Sequence, residues 1–181
     1  MGEFGDSGRA AALAVELVAR ACRQASGPSL EALALGLEAA DRAIGAAVTG
    51  ATTATVAWVS GRQLHYASVG DSRLYHQPAG GRMVQVTRDE GEANVLDNWL
   101  GHRRPDRQRS VVRQRGTLAL AAGDRLLLLT DGVTGDRPPD LLSPAELAAA
   151  VAGADPQAAA EALVRAARKV DDRTAVVIVV P

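Results

Sequence analysis

Residue 48 divides two textures of sequence, and their order restricts the architectures open to the chain. Before it, "SGRAAALAVELVARACRQA" (7–25) carries Leu13, Leu17, Val18, Ala21 and Cys22 at helical spacing, with Ser7 placed to cap its start. A second helix is expected over 29–48, opened by "PSLEAL" and carrying Leu30, Leu33, Leu37, Ala40 and Ile44. After it, "TTATVAWVS" (52–60), "QLHYASV" (63–69) and "SRLYHQ" (72–77) are rich in β-branched and aromatic residues, with Ser60-Gly61 and Gly70-Asp71 as tight turns. These segments predict an antiparallel meander. "RMVQVT" (82–87) predicts a further strand, and "SVVRQRGTLAL" (110–120) with "DRLLLLT" (124–130) predicts a hairpin around Ala122-Gly123. Two amphipathic helices follow, near 143–152 and 156–169, with Pro144 and Pro156 at first-turn positions, and "TAVVIVV" (174–180) is a last strand. Helices on both sides of a long antiparallel middle describe a layered α+β domain.

At 181 residues, with a formal net charge of −1, 47% hydrophobic and 23% charged, the chain suits one globular domain over 1–181 with a substantial core. The near balance of charge argues against a nucleic-acid or membrane surface. The locally basic "GHRRPDRQR" (101–109) reads as a solvated loop. Cys22 is the only cysteine, so no intramolecular disulfide can form and a reducing compartment is expected. With no signal peptide and no apolar run near the length of a membrane span, the expected location is cytoplasmic.

The stretch "LLLLTDGVTGDRP" (126–138) then poses a chemical question. It places a carboxylate at the point where a buried strand turns back toward solvent. A bare charge there is costly unless it is paired, hydrogen-bonded or bound to a metal, so Asp131 needs a partner.

"ATTATVAWV", "LHYASVGDSRLYH", "VQVTRDE", "LAAGDRLLLLTDGVTG" and "VDDRTAVVIVV" occur in that order over residues 51–180. Together they resemble the PPM family of metal-dependent serine/threonine protein phosphatases, the type 2C class. The resemblance implies a four-layer α-β-β-α sandwich, two antiparallel sheets packed face to face with helices outside. It also implies that Asp131, and Asp171 just before the last strand, are ligands of a pair of Mg²⁺ or Mn²⁺ ions. Hard divalent cations prefer oxygen ligands, and two ions about 4 Å apart can generate a hydroxide and hold phosphoryl oxygens for in-line attack. Asp71 of "GDSR" is the third candidate ligand, or else simply holds a turn. Gly70, Arg73, Gly132 and Asp172 fall in the same blocks as supporting residues. Asp172 stands where the family usually has asparagine, and its charge is expected to pair with Arg173. No catalytic residue beyond metal ligands is implied.

The chain departs from the family pattern in two places. The family opens with an Arg and a Glu-Asp pair on the first strand, then a "DG" motif supplying the ligand that bridges both metals. None of the first set is present. Residues 1–8, "MGEFGDSG", look like the continuation of the second motif, with Met1-Gly2 as its last letters. On that reading the opening strands of the sandwich are missing; on the alternative, Glu3-Phe4 is a cloning scar and the likeness is accidental. Secondly, "TRDEGEANVLDNWLG" (87–101) runs directly between segments that relatives separate by a longer flap near the active site, as also happens in short bacterial members acting on stress-response or sporulation regulators.

Other motifs carry less. "GDS" (70–72) is similar to the nucleophile block of GDSL-type esterases, but no downstream Asp-x-x-His exists, leaving Ser72 a strand-start residue. His65, His76 and His102 lack zinc-site spacing and read as structural or exposed. Trp58, Tyr66 and Tyr75 read as interlayer packing. Two functions from different classes stay open: a phosphatase acting on phosphoserine or phosphothreonine proteins, and a pseudophosphatase serving as regulatory or binding module for a kinase or phosphoprotein. With the bridging aspartate missing, turnover of an aryl phosphate is expected to be near background.

Overall fold

In the computed structural model, residues 6–92, 95–101 and 110–181 are described. The elements run α1 (Ser7–Gln24), α2 (Leu30–Ala47), β1 (Ala54–Ser60), β2 (Gln63–Val69), β3 (Arg73–Gln77), β4 (Val84–Gln85), β5 (Gly91–Glu92), β6 (Val95–Leu96), β7 (Gln114–Ala119) and β8 (Arg125–Leu129). The single turn α3 (Asp131–Thr134) follows, then α4 (Pro144–Val151), α5 (Pro156–Ala166) and β9 (Ala175–Val179). The fold is α+β, two antiparallel sheets flanked by helices. The chain forms two compact units, Met1–Gly70 with Leu96–Leu118, and Asp71–Val95 with Ala119–Pro181.

In the first unit the sheet order is β1-β2-β7. β1 and β2 pair antiparallel from Ala54↔Val69 to Ser60↔Gln63, around Gly61 at φ +55°. Helices α1 and α2 share a core with this sheet: Ala10, Ala14, Val18, Leu33, Leu37 and Ile44 meet Ala67 and Val69, with Val56 and Trp58 packed alongside. Full burial of Leu33, Leu37 and Ile44 contributes about 1.5–3 kcal/mol each. The helices approach so closely that a Cβ on Gly36 would lie 2.9 Å from the Val18 Cα. Ser29 caps α2, and α1 is capped by Asp6, whose carboxylate accepts from the Arg9 amide, and not by Ser7 as expected from the sequence.

The second unit's sheet has the order β4-β3-β8-β9, with registers Arg73↔Leu129 to Gln77↔Arg125 and Arg125↔Val179 to Leu129↔Ala175. Leu126 and Leu127, pointing to opposite faces of β8, are both fully buried, which is why this interior strand reads as unbroken leucine. Tyr75, Leu127, Leu129, Leu147, Val151, Ala159 and Leu163 join the sheet to α4 and α5 in one core. Ser143 opens α4 with a capping box to Glu146, and Asp155 caps α5 through the Gln157 and Ala158 amides.

Two strand pairings differ from expectation. β3 pairs with β4 and β8, not with β2, so the first three strands are not one meander. β7 and β8 lie in different sheets, so no hairpin forms around Ala122-Gly123. Instead Gly123 donates to the Val180 carbonyl (2.8 Å), and Asp124 gathers the Ala79 and Ala121 amides and His76 (2.9–3.0 Å), tying the turn to β9 and β3. His76 is thus structural. The readings placed on Met1-Gly2, His102 and most of the 101–109 loop lie outside the described residues.

Candidate metal centre

The end of β8 is stitched to the start of β9. Thr130 donates its amide to the Thr174 carbonyl (3.1 Å), and the Thr174 amide donates to Thr130 Oγ1 (3.0 Å). That pair brings the residue after Thr130 and the residues before Thr174 side by side. Asp131 is the first residue of α3, and Gly132 lets the two segments close: a Cβ there would sit 2.0 Å from the Asp172 carbonyl oxygen and 3.3 Å from the Asp171 Cβ. After the turn, Gly135 at φ +68° abuts the Asp140 carbonyl, where a Cβ would meet oxygen at 2.3 Å, and the chain delivers Asp136 to the same place.

Asp71, Asp131 and Asp136 offer carboxylate oxygens that all lie within 4.8 Å of one another. Asp171 reaches the cluster through Lys169, whose ammonium contacts Asp131, lies 2.9 Å from Asp136 Oδ2 and lies 3.0 Å from Asp171 Oδ2. The three sequence-predicted ligands therefore share one neighbourhood. Asp136 and Lys169 were not among the predicted residues.

The electrostatics follow from that crowding. Burial pushes the Asp71 carboxyl up to about 6, and repulsion from Asp131, Asp136 and Asp89 adds to the rise. Burial opposes the charge on Lys169, yet hydrogen bonds to Asp131, Asp136 and Asp171 raise its affinity for the proton. Burial likewise raises Asp171, but Lys169 and the Asp172 amide (2.9 Å) outweigh it and hold the carboxyl below its ordinary value.

The supporting residues separate by role. Gly70 adopts φ +98° in the turn before Asp71, where a Cβ would clash with Thr53. Arg73 is turned to Asp89, donating from Nε and Nη2 at 2.6–3.1 Å while only 5% exposed. Asp172 contributes backbone, and the expected Asp172–Arg173 pairing is not what forms: Arg173 donates to the carbonyls of Lys169 (2.7 Å) and Val164 (3.5 Å). Those carbonyls end α5 and its following loop, so Arg173 fixes the Lys169 backbone.

The donor set fits a hard divalent cation. Three carboxylates converge with Asp171 joined to them through Lys169, the group holds no sulfur or imidazole donor among the described residues, and one ammonium leaves the acids in excess.

Known proteins give the arrangement a context. The family model described as Stage II sporulation protein E (SpoIIE) matches residues 1–181. No curated protein matches the chain. Among solved structures, the serine/threonine phosphatase of S. agalactiae is similar at TM-score 0.76 and 20% identity, covering 94% of this chain and 80% of that one. MsPP, the PPM Ser-Thr phosphatase of Mycobacterium smegmatis solved with cacodylate, is similar at TM-score 0.71 and 23% identity over 94% and 81%. The catalytic domain of the serine threonine protein phosphatase PstP, solved with two manganese ions, is similar at TM-score 0.62 and 22% identity over 93% and 78%. With a family match over every residue, the chain belongs to the SpoIIE family, and it shares its fold with these PPM-type phosphatases.

Proposed function

We propose that this chain is a protein serine/threonine phosphatase domain whose substrates are phosphoserine or phosphothreonine proteins, with Mg²⁺ or Mn²⁺ held by Asp131, Asp171 and Asp71, joined by Asp136. The observation that carries the reading is the convergence of Asp71, Asp131 and Asp136 on one point, with Asp171 joined to Asp131 and Asp136 through the Lys169 ammonium. A divalent ion bound there would supply an activated water and neutralise phosphoryl charge. The chain's own contribution is positional. Gly132 lets the Asp131 and Asp171 segments close together, and the Thr130–Thr174 hydrogen bonds set their register. Part of the same proposal is that residues 1–181 act as a single cytoplasmic domain and that a serine/threonine kinase phosphorylates its substrate. No helix among the described residues is long and apolar enough to cross a membrane.

The test is release of orthophosphate from a phosphothreonine peptide at millimolar Mn²⁺. Slow, Mn²⁺-dependent release abolished by Asp131→Ala is expected. Release equal in the two proteins would reject the phosphatase reading for this chain. A non-catalytic binding module would then be the better description, and one observation already favours it: an ammonium stands among the carboxylates.

A further inference from the structure

Lys169 uses its donors in a telling way. An ammonium has three N–H donors and no acceptor, and here three carboxylates take them: Asp131, Asp136 at 2.9 Å and Asp171 at 3.0 Å. Its side chain is only 19% exposed, so this is not a solvated surface pair. We propose that Lys169 is an internal competitor for the divalent cation, holding these carboxylates when metal is absent and leaving them when metal binds.

The charge balance supports competition over permanent occupation. One ammonium against Asp71, Asp131, Asp136 and Asp171 leaves an excess of negative charge: its three contacts go to Asp131, Asp136 and Asp171, while an Asp71 oxygen lies within 4.8 Å of those of Asp131 and Asp136. A divalent ion offers two charges and the oxygen coordination these acids suit. The ammonium has the opposite advantage of being tethered two residues before Asp171, so it rebinds without any cost in concentration.

The backbone around it suits a side-chain exchange. The Lys169 carbonyl is held by Arg173 at 2.7 Å, and the neighbouring Arg168 donates to the Pro139 and Leu141 carbonyls at 3.3 Å. Neither contact involves the Lys169 side chain. Displacement requires only rotation of its four methylenes outward, beside Val170, which is 98% exposed. Metal affinity would then be set by a local equilibrium and would leave the fold intact.

This inference rests on the cation-site reading above, and the experiment separates the two. Mn²⁺ binding is followed by loss of the free Mn²⁺ electron-paramagnetic-resonance signal for wild type, Lys169→Met and Lys169→Met with Asp131→Asn. Lys169→Met should bind Mn²⁺ more tightly by a factor on the order of ten, with the gain lost in the double variant. Equal or weaker binding by Lys169→Met, with measurable binding by wild type, would overturn the competition while leaving the cation site standing. Absence of Mn²⁺ binding by both would overturn the cation site and the competition together. Should Lys169→Met not fold, wild type still decides: Mn²⁺ should increase acetylation of Lys169 by acetic anhydride, read by mass spectrometry, and unchanged or decreased labelling would reject displacement.

Discussion

A Cβ on Gly132 would lie 2.0 Å from the carbonyl oxygen of Asp172, so the two segments carrying Asp131 and Asp171 touch backbone to backbone. Nothing larger than hydrogen fits, and the obstructing atom belongs to main chain that cannot swing aside. Gly132→Ala must push the segments apart at the point where the carboxylates converge. The expected cost is about 1–3 kcal/mol in urea melts, the range for overpacking a close contact. Gly8→Ala, in α1 with open space around it, is the control and should be neutral or stabilising by about 0.5–1 kcal/mol.

Arg73 and Asp89 should behave as one unit. The guanidinium is buried, with Nε and Nη2 both engaged by the carboxylate, so removing either partner strands a charge. Arg73→Met is expected to destabilise by about 2–4 kcal/mol, below the full figure for a buried pair because Asp89 keeps 32% of its side-chain surface, and Arg73→Lys to recover only part, because an ammonium cannot reproduce the fork. A double-mutant cycle with Asp89→Asn checks it: additive losses would show that the pair is not coupled.

Local signals and long-range pairing were legible to different degrees. Helices 29–48, 143–152 and 156–169 carry their caps in plain view at Ser29, Ser143 and Asp155, because capping is decided within three or four residues. The leucine run at 126–129 announces an interior strand for the same local reason. Which strand lies beside it is another matter: β3 and β8 are separated by about fifty residues, and nothing in either segment distinguishes that partner from the nearer β2 or β7. The site divides similarly. Asp131, Asp171 and Asp71 stand in recognisable blocks. Asp136 arrives through the α3 turn and Gly135, and Lys169 through the exit from α5, so their convergence depends on backbone paths that spacing does not encode. The Asp-x₄-Asp interval around a "DGVTG" turn was the available hint.

Lys169→Met should be costly without metal and cheaper with it. Deleting the ammonium leaves Asp131, Asp136 and Asp171 facing one another without a cation. In EDTA the expected loss is about 2–4 kcal/mol, below the full figure for a buried pair because Asp171 keeps 34% of its side-chain surface. Millimolar Mn²⁺ should return most of it in a thermal melt. Asp131→Asn probes the same placement with a smaller change. Here the variant weakens one Lys169 contact while relieving Asp71, and a net change within about 1 kcal/mol is expected.

Asp71 should make the metal-free protein less stable as pH rises through the weakly acidic range. Its carboxyl binds a proton more tightly in the folded chain, near 6, than when unfolded, near 3.8. Between those values the folded state holds more protons than the unfolded state, so unfolding free energy falls with increasing pH. The stabilisation is complete below about pH 4 and lost above about pH 6, opposite in sign to an acid in a salt bridge. Burial is the first cause and repulsion from Asp131 the second, and neither acts on a neutral amide. Asp71→Asn should therefore exceed wild type by about 1–3 kcal/mol at pH 7.5 in EDTA, with the gap closing toward pH 4. Urea melts at both pH values check this. A gap that is constant with pH would mean that Asp71 titrates normally and that the carboxylates are already neutralised by Lys169.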